Sequence, residues 1–282
     1  MKRKRSKRGL WLCIILLLAA AAYAVYDSAF SLSVSSYEIT SAKLPESFEG
    51  FRIVQLSDLH GSSLGEDNDK LVAAVAAERP DVIALTGDII TNADDIAVVE
   101  RLAGRLTEIC DVYFVSGNHD YGSGAESELA RVLEESGVRY LRNEYLLLER
   151  GGESIVLAGV EDPNSWADMI RPDELCAAVR SEYPDSFVLL LGHRNYWLEE
   201  YPQLPVDLIL CGHNHGGIVR LPGVGGLLGT DRTLFPEYDR GLFESENYSM
   251  IVSAGLGNSV PIPRVFNRPE IVSVTLHGGG QN

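Results

Sequence analysis

Five of the six histidines in this 282-residue chain stand in one kind of place. His60, His119, His193, His213 and His215 each follow shortly after an apolar run and sit beside Asp, Asn or Gly; only His277 does not. Phe51 to Leu56 leads into Ser57-Asp58-Leu59-His60, Val82 to Thr86 into Gly87-Asp88, and Val112 to Val115 into Gly117-Asn118-His119-Asp120. Phe187 to Leu191 leads into Gly192-His193, and Val206 to Leu210 into Gly212-His213-Asn214-His215. A single histidine of this kind is read first as a satisfied core or surface imidazole. Five at equivalent positions are read as one site, because open α/β sheets gather functional groups just beyond the carboxyl ends of their strands.

The donors on offer are the carboxylates of Asp58 and Asp88, the amide of Asn118 and the imidazoles of His60, His193, His213 and His215. Such a mixture, without thiolate, suits manganese, iron or zinc in an open site; a closed structural zinc usually takes cysteine. Cys13, Cys110, Cys176 and Cys211 show no paired spacing, so neither a disulfide framework nor a zinc finger is expected. Seven ligands exceed the needs of one open ion. They suit two ions that share Asp88, and two ions about 3.5–4 Å apart can together activate water and neutralise a phosphoryl group. Phosphoester hydrolysis is the reaction this predicts.

The elements that must position these groups alternate. Helical periodicity at Asn68 to Glu78 and at Ile96 to Ile109 separates the first three strands, which predicts a parallel α/β core, and Glu126 to Ser136 forms a further helix stopped by Gly137. Val138 to Leu141, Tyr145 to Glu149 and Ser154 to Val160 read as short strands, the last two joined by a Gly151-Gly152 turn. Pro172 to Glu182 reads as a helix with proline in its first turn. Val206 to Cys211, Ile218 to Leu221, Ser249 to Ala254 and Ile271 to Leu276 complete the strands. Two sheets face to face with helices outside are expected, the five ligand loops meeting at one rim.

The amino terminus has another character. Met1 to Arg8 carries six basic side chains and no acid, and Leu10 to Tyr26 follows without a charge. Seventeen helical residues reach about 26 Å, just enough to cross a ~30 Å hydrocarbon core with Trp11 and Tyr23 or Tyr26 at its ends. Residues 1–26 are therefore expected to be a cytoplasmic basic tail and signal anchor, 27–46 a linker, and 47–282 an exported catalytic domain. The competing reading is a signal peptide cut after Ala22-Tyr23-Ala24, which would release a secreted protein. Ser6 to Trp11 matches a twin-arginine export signal only partly, with lysine in place of the first arginine. The formal net charge of −16 becomes −22 once the six N-terminal basic residues are set aside, which argues against nucleic acid as a partner.

In order and spacing, Asp58-x-His60, Gly87-Asp88, Gly117-Asn118-His119-Asp120, Gly192-His193 and Gly212-His213-Asn214-His215 resemble the motifs of the calcineurin-like metallophosphoesterase superfamily. The match extends from about residue 50 to 277. Gly216-Gly217, Gly255 to Asn258, Phe266 to Ile271 and the N-terminal segment resemble its bacterial membrane-associated phosphodiesterase branch. The resemblance implies a four-layer αββα sandwich, with Asp58, His60 and His215 on one divalent ion, Asn118, His193 and His213 on a second, and Asp88 shared. It implies in-line attack by a dimetal-bridging hydroxide, with His119 protonating the leaving oxygen and Asp120 orienting the His119 imidazole.

One departure is Arg194-Asn195, where relatives commonly carry Asn-Pro or Glu-Pro. Arg194 is expected to be a surface arginine, with a contact to a second substrate phosphate as the sharper reading. Asn214 is expected to serve turn geometry rather than phosphate, and Tyr196 and Trp197 to serve core packing rather than a substrate pocket. The function expected is a membrane-tethered phosphodiesterase or pyrophosphatase acting outside the cytoplasm, on a substrate that includes lipid or nucleotide-linked lipid head groups. A secreted phosphatase of broad specificity is the first alternative and a non-enzymatic metal-binding scaffold the second. No organic cofactor is expected, and oligomeric state is not legible.

Overall fold

The computed structural model describes residues 7–165, 170–230 and 232–279. The first six residues of the basic tail Met1 to Arg8 lie outside the described residues. Helix α1 (Lys7–Phe30) is apolar on every side and its large side chains are exposed, Trp11 and Leu16 among them. Apart from Ala24 and Ser28 near its C-terminal end, which are buried, the helix leaves its apolar surface without protein cover, which suits a bilayer. Its 24 residues reach about 36 Å.

Strand β1 (Ser33–Ser41) follows at once, then β2 (Phe51–Leu56), α2 (Asp69–Glu78), β3 (Val82–Thr86), α3 (Ile96–Thr107) and β4 (Asp111–Val115). After these come α4 (Asn118–Gly122), α5 (Glu126–Glu135), β5 (Arg139–Tyr140), and the hairpin of β6 (Glu144–Arg150) and β7 (Glu153–Gly159). The chain continues through α6 (Pro172–Glu182), β8 (Val188–Leu191), α7 (Trp197–Glu200) and β9 (Leu208–Cys211). A two-stranded ribbon of β10 (Arg220–Leu221) and β11 (Gly225–Gly226) precedes β12 (Gly241–Glu244), β13 (Ser249–Val252) and β14 (Glu270–Gly278).

Two six-stranded sheets result, ordered β1-β14-β2-β3-β4-β5 and β12-β13-β9-β8-β7-β6. Three apolar layers hold them. Leu71, Val75, Val99, Leu106, Leu129 and Leu133 of α2, α3 and α5 pack on the outer face of the first sheet. Ile53, Leu157, Leu189, Leu210, Ile251 and Val274 interdigitate between the sheets. Leu175, Val179 and Trp197 of α6 and α7 cover the outer face of the second. The molecule is the four-layer αββα sandwich expected. Because β2, β3 and β4 are mutually parallel, as are β8 and β9, all five ligand-bearing strands end at one rim.

Residues 27–46 are not a linker. α1 continues to Phe30, and β1 pairs in parallel with β14 along its whole length, from Ser33 with Glu270 to Ser41 with Gly278. An edge strand shows solvent on alternate residues, so its apolar positions are few, and its partner lies more than 230 residues away. The Ile218 to Leu221 strand is likewise reduced to the two residues of β10, because Gly216 and Gly217 adopt positive φ and the chain turns there.

A soluble domain beginning at Ser31 is expected to unfold cooperatively in urea. Starting instead at Ala42 strips β14 of its parallel partner and removes the larger part of the ~5–15 kcal/mol typical of a domain; equal midpoints for the two would contradict β1 as part of the sheet.

Candidate metal centre

The loops at the rim are bent in a way that few residues tolerate. Asp58, His60, Asp88, His213 and His215 adopt φ of 51°, 48°, 54°, 74° and 48°. For side chains other than glycine this left-handed region is uncommon and costs of order 1–3 kcal/mol at each position, so it persists only where the surroundings over-determine it. Here the backbone does so. Asp58 and His60 donate their N–H groups to the carbonyls of Gly87 and Asp88, each at 3.0 Å, and His213 donates to the Asp58 carboxylate at 3.1 Å. His119 donates its backbone N–H to Asp88 Oδ1 at 2.7 Å. A Cβ on Gly117 would collide with Asp88, and one on Gly212 with Asp58. The glycines before the ligands let the loops lie this close.

Asp120 is the fastening, which corrects its expected role. Its fully buried carboxylate accepts backbone N–H groups from Asp88 (2.8 Å), Ile89 (2.9 Å), Ile90 (3.1 Å) and Gly117 (2.8 Å). Neighbouring residues on a helix do not face each other, and Asp120 turns under the loops rather than toward the His119 imidazole. Burial, and after it the charge of Asp88, push Asp120 up to about 7 against the opposing pull of its backbone donors.

Seven side chains named from the sequence meet in this rim. Asp58, His60 and His215 bring their donor atoms within 4.8 Å of one another, as do Asp88, His193 and His213. His60 Nε2 lies 3.2 Å from His215 Nε2, and His193 Nε2 lies 3.2 Å from His213 Nδ1. Asp88 Oδ2 faces both groups, 3.2 Å from His193 Nε2 and 3.8 Å from His60 Nε2. Asn118 Oδ1 is buried with no hydrogen-bond partner, and Asn118 lines the same cleft of about 360 Å³ with Asp88, His119, His213 and His215. An orphaned carbonyl oxygen beside lone pairs and carboxylates needs a positive partner, so the donor set fits divalent cations.

The electrostatics agree. Burial depresses His60 to about 3 and holds His213 and His215 well below the usual imidazole range, which keeps their lone pairs free. Burial pushes Asp58 up to about 6. Burial also opposes charge on His193 and Asp88, yet their mutual attraction wins: His193 rises to about 10 and Asp88 lies below its ordinary range. A metal bound where they meet would compete with the His193 proton. His193 Nδ1 is turned to the Thr86 carbonyl at 2.8 Å and His60 Nδ1 to Thr91 Oγ1 at 2.9 Å, contacts that aim each Nε2 inward.

Other expectations resolve differently. Arg194 is half-buried rather than a surface residue: its guanidinium grips the buried Asp162 through two nitrogens and sets Nη1 3.2 Å from His213 Nε2. Asn214 spends its amide on backbone, accepting from Thr230 N–H and donating to Tyr238 O, so its place is in the turn. Trp197 is buried in the outer core as expected, while Tyr196 stays half-exposed. Sequence reasoning missed Asp162 and Arg264. Arg264 is buried, donates to the carbonyls of Ala254 and Gly257, and lies 3.4 Å from His215 Nδ1. Neither stands in a motif, and no local signal marks them.

Residues 51–217 match the family model described as calcineurin-like phosphoesterase. A metallophosphoesterase of Aquifex aeolicus (strain VF5) is 32% identical over 265 residues, covering 92% of this chain and 97% of its own. The phosphodiesterase YaeI of Escherichia coli (strain K12) is 29% identical over 182 residues, covering 62% and 64%. A transmembrane protein with a metallophosphoesterase domain from Danio rerio is 28% identical over 283 residues, covering 94% and 62%. The chain belongs to the calcineurin-like phosphoesterase family, and it is a dinuclear metal-dependent phosphoester hydrolase.

Asp120→Ala leaves four buried backbone donors unpaired and is expected to lower urea stability by at least ~3 kcal/mol, since each unpaired group costs ~1–3 kcal/mol. Unchanged stability with altered catalysis would return Asp120 to the role of orienting His119. Asn118→Leu, by contrast, is expected to fold and to bind about one divalent ion fewer by elemental analysis, because it removes a single ligand; an undiminished metal content would exclude Asn118 as a ligand.

Proposed function

We propose that this hydrolase is a membrane-anchored phosphodiesterase or pyrophosphatase whose catalytic domain lies outside the cytoplasm, acting on phosphoesters that include lipid-borne head groups. Asp58, His60 and His215 would hold one divalent ion, Asn118, His193 and His213 a second, with Asp88 between them. The observation that carries this assignment is the unpartnered Asn118 Oδ1 in the cleft that Asp88, His213 and His215 also line, beside two groups of carboxylate oxygens and imidazole nitrogens close enough to hold an ion each. Manganese, iron or zinc satisfies such a set. Bound there, the ions would supply an activated water and charge neutralisation for the phosphoryl group.

The chain's own residues do the rest. His119 stands in the first turn of the short helix α4, is half-buried at the cleft, and its ring stands edge-on to His60 with centroids 4.9 Å apart. From there it can hand a proton to the leaving oxygen of an ester held in the cleft. Asp120 keeps that position by tying the Asp88 and Gly117 backbones together, and Asp162 keeps the Arg194 guanidinium beside His213. The anchor reading is supported by α1, which runs unbroken through Ala22 to Ala24 and on to Phe30. The six basic side chains of Met1 to Arg8 support a cytoplasmic amino terminus by the positive-inside rule.

His119→Ala is expected to keep its metals and lose about 10²–10⁴-fold in kcat toward diesters with an alkyl leaving group. The loss should be much smaller with p-nitrophenolate, which leaves without a proton. Equal losses for both would remove His119 as the acid. A mature chain that begins near Val25 by mass spectrometry would remove the anchor.

A further inference from the structure

Where α1 meets the domain decides which face of the domain the membrane sees. Ser33 pairs with Glu270 at the start of β14, and β14 runs antiparallel to β2, whose far end leads to Asp58. The helix therefore arrives at the metal rim of the sandwich, not at the opposite end where the β6–β7 turn lies. The junction is fixed: Arg268 pairs with Asp27 through two nitrogens at 2.7 and 2.8 Å, Asn267 N–H donates to the buried Ser28 Oγ at 3.2 Å, and Ser33 donates to Pro269 O. Asn267 in turn donates to the carbonyls of His215 and Ile218, so the anchor and the metal-ligand loop share one fastening.

Beside that fastening lies an apolar surface that the proposed reaction does not use. Val224 at the β10–β11 tip, Leu234, Phe235 and Phe266 are 66%, 64%, 54% and 57% exposed, and Leu221 and Ile262 each 40%. Leu221, Val224, Phe235 and Phe266 line one shallow hollow, and Phe266 is the residue before Asn267. The two segments that carry this surface also line the metal cleft, through Thr230 in one and Ser259 and Val260 in the other. The charges around this surface are mixed: Arg232 is exposed, Arg268 pairs with Asp27, Arg220 pairs with Asp239 and Arg264 is buried, while Glu237 and Asp239 line the hollow as well. A cluster of exposed apolar side chains rimmed by polar groups suits the boundary between head groups and acyl chains.

We propose that this surface seats in the bilayer that α1 crosses, with the β10–β11 tip, Phe235 and Phe266 dipping below the head groups, so that the metal cleft opens onto lipid-borne phosphoesters. The seat rests on the anchored reading above and names the substrate class of that site as membrane amphiphiles. It makes α1 a fixed mount, because helix and surface engage one leaflet together.

The test uses the full chain in vesicles of phosphatidylcholine with a minority of phosphatidylglycerol. Phe235→Trp is compared with Glu149→Trp, which lies at the end of the sandwich away from the rim, both in a Trp11→Phe background with that background's emission subtracted. Acyl-brominated lipid should quench Phe235→Trp and leave Glu149→Trp unchanged; equal quenching of the two overturns the seat. In the same vesicles, the double variant Val224→Asp/Phe235→Asp should keep its rate on a soluble diester and lose about tenfold or more on a phospholipid-borne one, equivalent to ~1.4 kcal/mol. Equal rates on both substrates overturn the seat, as does a detergent-stable dimer that this double variant abolishes, since the surface would then belong to a second copy. Quenching without hydrolysis of any phosphoester would keep the seat and remove the proposed reaction instead.

Discussion

The structure depends on concentrating electron pairs at one place where nothing in the chain can neutralise them all. Two carboxylates, an amide oxygen and four imidazoles converge at the rim, most of them buried, and only His193 takes up positive charge there readily. Burying such groups without a counter-charge is costly. Their backbone adds to the cost, since five of the seven donor residues sit at positive φ. The two apolar interfaces of the first sheet and the fully buried Asp120 offset this by holding the loops from below, so the strain is local and the scaffold rigid.

Rigidity also explains how roles divide between adjacent residues. In Asn118-His119-Asp120 one side chain faces the donor cluster, one stands at the open cleft, and one turns under the loops to bind four backbone groups. A single turn of helix, α4, fans three neighbours in three directions. Arg194 repeats the pattern on the other side of the cleft, where a motif position becomes a link between buried Asp162 and the outer nitrogen of His213.

The centre was legible in the sequence to an unusual degree because every donor follows a buried strand, and buried strands announce themselves as short apolar runs. Helix α6 was legible to the residue because Pro172 marks its start and its apolar face recurs on period. What stayed hidden depends on distant partners. β1 is a half-exposed edge strand whose only sheet neighbour is β14, and nothing in Ser33 to Ser41 encodes that pairing. The direction of Asp120 could not be read either, since the same Asn-His-Asp triplet permits a carboxylate aimed at the imidazole or at the backbone. Arg264 and Asp162 are single polar residues in loops, and their burial is decided by the packing of other segments.

Edge pairing has a larger consequence than its size suggests. By fixing Ser33 to Glu270 it brings α1 to the same end of the sandwich as the ligand loops, and the proposed membrane seat rests on that placement. The most direct test of the account is anomalous diffraction from crystals of the manganese-loaded protein. It should show two peaks in the rim, one among Asp58, His60 and His215, one among Asn118, His193 and His213, with Asp88 in reach of both. A single peak, or a second one outside this cleft, would contradict it.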